Sequence, residues 1–166
     1  MKMSHKSLLI ASGCIWLAIG LFLLPLGLKF IVGSIEEISK SPLNHYPLIS
    51  SIAPFFGGVE SAGVILIATS LMLGTMKAKM VLSKVVVKGI TRIKSLPNPA
   101  NFTDLYGLKY LLLVAFMMSL GMAMRYFDVP KDVRGVIDIA VGSALITGGI
   151  TYFRSMSQLH SEVKST

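Results

Sequence analysis

A chain of 166 residues that is 53% hydrophobic and only 14% charged holds more apolar side chains than one small soluble core can bury, since soluble domains carry about 25% charged residues. This composition excludes an ordinary soluble domain and points to an all-α membrane protein. The net charge of +8 is concentrated in one loop, which favours membrane topology and anionic lipid over a nucleic-acid partner.

In chain order, four runs are long enough to span, since a helix needs about 20 mostly apolar residues to cross roughly 30 Å of hydrocarbon. They cover about 7–32, 54–76, 108–127 and 133–153 of a single membrane domain, 1–166. Each is read as a helix, because a segment in lipid must satisfy its own backbone groups. The expected architecture is a four-helix bundle of two hairpins. The first run contains Pro25, an expected kink, and the chain's one cysteine, Cys14, which excludes an intramolecular disulfide and any CxxC motif. "ASGC" at 11–14 is similar to a lipoprotein cleavage site, but the apolar run continues well past it. Residues 7–28 therefore read as a span and not a removed signal. The loop over 30–53 contains "SPLNHYPLIS", with two prolines and no periodicity, and His45 there reads as a solvated loop residue.

Between the second and third runs lies a basic loop, 77–107, with Lys77, Lys79, Lys84, Lys88, Arg92 and Lys94 against Asp104 alone. Lys77, Lys84, Lys88 and Arg92 fall near one helical face, so the second helix is expected to continue along anionic headgroups until Pro97. By the positive-inside rule this loop and both termini are cytoplasmic, and the expected location is the bacterial inner membrane.

"GLFLLPLGLKF" followed by "GGVESAGVILIATSLMLG" resembles the first two helices of DoxX-like small four-helix membrane proteins, with Lys29 and Glu60 as the matching residues. The resemblance covers the first hairpin, departs in spacing, and has no counterpart in "VPKDVRGVIDIAVGSALITGG". A related pattern lies within the chain. Aligning Glu60 with Asp138 also matches Ala62 with Ala140 and Thr69 with Thr147, as in a parallel repeat.

Three charges interrupt the second hairpin. Arg134 and Asp138 are four apart on one helical face and are expected to pair, with Arg125 at a similar depth from the preceding helix. Lys29 and Glu60 are the expected counterpart in the first hairpin. Such a cluster either pins the hairpins together or forms part of an ion pathway. Small residues four apart make stripes: Ala115, Ser119 and Ala123 on the third helix, Ala140, Ala144 and Gly148 on the fourth. These stripes are expected to face each other.

No phosphate-binding loop, HExxH or nucleophile elbow is present, no expected span carries a histidine, and no metal or other cofactor is implied. The ten methionines read as adaptable packing. The sequence thus describes a non-enzymatic integral membrane protein. It reads as an oligomeric transporter or channel for an ion or small solute, with a non-catalytic accessory subunit of a larger membrane complex as the alternative.

Overall fold

The computed structural model describes residues 2–3, 5–41, 46–82, 84, 87–88, 91, 100–101, 119 and 121–164. Its long elements are α1 (His5–Lys40), α3 (Val59–Lys77) and α4 (Lys131–Lys164), with a short α2 (Pro47–Ile52) between the first two. Three helical stretches, Leu9–Lys40, Val59–Met80 and Lys131–Arg154, are long and apolar enough to cross a membrane. The long elements are all helical, and these three stretches suggest a membrane protein by length and composition. Most of the expected third span, 108–127, lies outside the described residues; its end, 121–126, is helical.

The boundaries differ from the expected ones for local reasons. α1 runs 36 residues, about 54 Å at roughly 1.5 Å per residue, and continues unbroken through both Cys14 and Pro25. It overshoots the expected end at 32 and carries Glu36, Glu37 and Lys40 in its last turns. The second span starts late. Ala53–Phe55 is a single 3₁₀ turn, and Gly57 and Gly58 take φ of 78° and 142° before α3 begins at Val59. Only glycine adopts that pair of conformations cheaply. α2 replaces part of the expected loop because Pro47 opens it and Ile49 is buried. His45 lies outside the described residues.

α1 and α4 run antiparallel with their backbones in direct contact. A methyl carbon placed on Gly20 would stand 2.7 Å from the Gly142 carbonyl oxygen, and one on Gly27 would stand 2.8 Å from that of Gly135. One on Gly149 would stand 3.1 Å from the Gly13 carbonyl oxygen. Both series step by seven, the repeat that keeps one face of two helices together through a left-handed supercoil. Larger side chains fill the same seam between the glycines, and Trp16 meets Tyr152 with ring centroids 6.0 Å apart.

α3 packs beside this pair on a second stripe, Ala62, Leu66, Ser70 and Gly74, continued just past its end by Ala78, all buried. A methyl on Gly74 would collide with the Ala140 carbonyl oxygen and with Ser143 Oγ. The apolar core gathers at the Glu37 end of the bundle, where Ile31, Tyr46, Ile49, Ala62, Leu66 and Ile139 close around one another. At the other end a two-residue antiparallel pairing sets Lys2 opposite Asn101 and Met3 opposite Ala100.

Candidate functional site

Polar groups converge where α1 ends and α2 and α4 begin. Tyr46 occupies the cap position of α2 and makes no side-chain capping bond. The cap comes from across the fold. One Asp132 oxygen accepts the Leu48 N–H at 2.7 Å and the Ile49 N–H at 3.2 Å, and the other accepts the Val133 N–H at 2.8 Å. Asp132 is fully buried, and three N–H groups at two helix N-termini are what a buried carboxylate needs. Beside it, Glu37 of α1 accepts from the Tyr46 hydroxyl and the Lys131 ammonium. The bond to Glu37, then burial, pushes the Tyr46 phenol up to about 12.

The helical segment 121–126 reaches the same place through a left-handed turn. The Val129 N–H donates to the Met124 carbonyl at 3.0 Å and the Asp128 N–H to the Arg125 carbonyl at 3.4 Å, with Asp128 at φ 46°. This is a Schellman ending, in which glycine is the usual left-handed residue. Pro130 then blocks continuation of that helix, and α4 starts at Lys131. The turn fixes Arg125 next to the first turn of α4. Between them opens a cleft of about 460 Å³, lined by Arg125, Asp128, Lys131 and Arg134 together with Tyr46 and Met124.

The expected Arg134–Asp138 pair is not formed. Arg134 instead lays its guanidinium over the Phe30 ring, 4.7 Å from the centroid. The heptad register explains the competition. Steps of seven from the Glu37–Lys131 pair place Phe30 level with Asp138, so a ring face of α1 stands where Arg134 would otherwise turn toward its neighbour. Asp138 Oδ2 is buried and has no hydrogen-bond partner among the described residues. The structure thus brings Arg125 and Arg134 to one cleft, with Asp138 one helical turn beyond Arg134 and unpaired.

The expected Lys29–Glu60 counterpart is also not formed. Both residues are exposed and no ion pair joins them among the described residues. Lys29 is two positions past Gly27, about 200° around α1 from the seam. Glu60 sits in the first turn of α3, where the helix N-terminus favours a negative charge. The two acids that the expected repeat aligns, Glu60 and Asp138, therefore occupy unlike environments.

Of the small-residue stripes, Ala115 lies outside the described residues, Ser119 is exposed, and Ala123, Ala140 and Ala144 are half-buried. Gly148 is buried. The close approach of α4 is to α1 through its heptad glycines, and Ala140 turns its carbonyl to α3. Of the basic face, Lys77, Lys84 and Lys88 are exposed and each is helical, and Arg92 lies outside the described residues.

Comparison with protein families, characterised proteins and solved structures gave no match for this chain. The likeness of the first hairpin to DoxX-like proteins therefore rests on its quoted residues alone. Glu37, Tyr46, Asp128, Lys131 and Asp132 belong to the site without having been singled out in the sequence. Asp132 and α2 are 84 residues apart, and no local pattern links them.

Proposed function

We propose that this chain is a small integral membrane protein acting as an oligomeric transporter or channel for an ion or small solute, with Asp138 as its working carboxylate. The observation that carries this reading is the buried, unpartnered Oδ2 of Asp138 within a span. An aspartate at the centre of a membrane helix costs about 2.5–3.5 kcal/mol on insertion scales, and less near the edge. A structural role would offset that cost through an ion pair, and no such pair joins Asp138 to Arg134 or Arg125 among the described residues. In this reading the apolar run over 108–127 is the fourth helix of two hairpins. The glycine contacts between α1 and α4, and between α3 and α4, close the contact between hairpins, so the path runs between copies of the chain.

The cleft end faces outward in this reading, with both termini and the basic loop in the cytoplasm against anionic headgroups. The pairing of Lys2–Met3 with Ala100–Asn101 supports one shared side for the N-terminus and that loop. Reconstitution of the purified chain into liposomes tests the proposal: proton or monovalent-ion flux should exceed that of empty vesicles. Absence of flux, together with stoichiometric co-purification of one larger membrane protein, would replace it with the accessory-subunit reading.

A further inference from the structure

We propose that the cleft beside Arg125 and Arg134 is a binding site for a phosphate group, carried either by a free anion or by a lipid headgroup. This deepens the transport reading by naming what the mouth of the path recognises, and it rests on that reading for its place in the function.

Three cations line the cleft, and two of them have no acidic partner. Lys131 is taken by Glu37, whereas Arg125 and Arg134 have no carboxylate within 4.0 Å among the described residues. Asp128 is the acid in the lining, and its backbone is committed to the turn that positions Arg125. Arg134 is held over the Phe30 ring, which orients the guanidinium without neutralising it. Arg125 is exposed at the end of its helix.

Guanidinium groups offer paired N–H donors that match an oxyanion two oxygens at a time. A carboxylate has two oxygens and satisfies one such fork. A phosphate has enough to engage two arginines together, and small-ligand sites occupy roughly 300–1,000 Å³. The cleft, at about 460 Å³, accommodates a phosphate with a short attached group. Its position suits either source: it lies at the end of the apolar stretch of α4, where headgroup phosphates begin, and it is open to solvent.

Full-length protein in maltoside detergent, which carries no phosphate, provides the test. One arm titrates inorganic phosphate against chloride at matched ionic strength and reads the shift in unfolding midpoint. The other adds phosphatidylglycerol and counts retained lipid by native mass spectrometry. The wild type should respond in at least one arm, and the responding arm identifies the source. Arg125→Gln with Arg134→Gln should weaken that response at least tenfold. Arg154→Gln with Lys164→Gln, which removes equal charge from the other end, should not. Asp128→Asn should strengthen binding by removing the acid. Arg125→Lys with Arg134→Lys keeps the charge but loses the forks, and should bind more weakly than wild type but better than the glutamine pair. No response in either arm, or equal responses from the wild type and the glutamine pair, overturns the proposal. Because binding is read without flux, its failure leaves the role of Asp138 standing. A folded Asp138→Asn protein that still conducts would remove Asp138 from the path and leave phosphate binding intact.

Discussion

Alanine at position 20 separates packing from helix propensity. Its added methyl would stand 2.7 Å from the Gly142 carbonyl oxygen, 2.8 Å from Ile146 Cγ1 and 2.9 Å from the Ile146 nitrogen. Two of those atoms are backbone, so relief requires α1 and α4 to part by roughly half an ångström along a tightly packed seam. Overpacking of this kind costs about 1–3 kcal/mol. Replacing a helical glycine by alanine returns about 0.8–1 kcal/mol through propensity. Gly33 lies in the same helix with nothing within 4 Å of such a methyl, so Gly33→Ala carries the propensity gain alone. The two variants should therefore differ by about 1–3 kcal/mol, with Gly20→Ala the less stable. Reversible unfolding in mixed micelles, with both variants measured against wild type, reads the gap. Adding Gly142→Ala to Gly20→Ala should cost less than the sum of the separate losses, because helices already parted leave room for the second methyl. A Gly20→Ala protein as stable as Gly33→Ala would refute the glycine-to-glycine register.

Asp132→Ala should destabilise the protein by about 1–3 kcal/mol, the worth of charge-assisted hydrogen bonds to helix-terminal amides, and hydrogen exchange at Leu48 and Ile49 should rise with it; unchanged exchange would remove Asp132 as the cap of α2. Tyr46, bonded as the neutral phenol, contributes its stability fully below the ordinary value near 10 and loses it as pH rises through about 12. Among the five tyrosines, the phenolate absorbance missing from Tyr46→Phe should therefore be the high-pH part of the titration, and loss of a component near 10 would contradict the bond to Glu37. Asp128→Gly should raise stability by about 1 kcal/mol, since an L-residue at a left-handed position costs about 1–2 kcal/mol that glycine does not; a lower unfolding midpoint would mean the side chain holds the turn.

Apolar length made three of the spans legible, because hydrocarbon thickness sets the length of any segment that crosses it. Helix ends were less legible, since they depend on single residues such as Gly57, Gly58 and Pro47. The glycine seam is present in the sequence at a spacing of seven, as Gly13, Gly20, Gly27 and Gly135, Gly142, Gly149, beside small residues at a spacing of four such as Ala140, Ala144 and Gly148, and spacing alone does not say which stripe meets which helix. The gathering of Arg125 and Arg134 followed from their depth along neighbouring helices. The failure of Arg134 to meet Asp138 did not, because Phe30, over a hundred residues away in the chain, takes the guanidinium. Glu37, Tyr46 and Asp132 were illegible for the same reason: each bond crosses between elements whose register no local pattern encodes.

Asp138 separates a working site from a structural anchor, and flux per folded molecule measures that distinction. Wild type, Asp138→Asn and Asp138→Glu would be reconstituted at equal density, with the folded fraction of each taken from its gel-filtration peak and unfolding midpoint. A carboxylate in the path predicts that Asp138→Asn folds as well as wild type or better, because a half-buried carboxyl with one buried, unpartnered oxygen has been replaced by a neutral amide, and that its flux falls to the level of empty vesicles. Asp138→Glu should retain part of the flux. An Asp138→Asn protein that is less stable than wild type yet conducts normally per folded molecule would contradict the account and return Asp138 to the role of a structural charge.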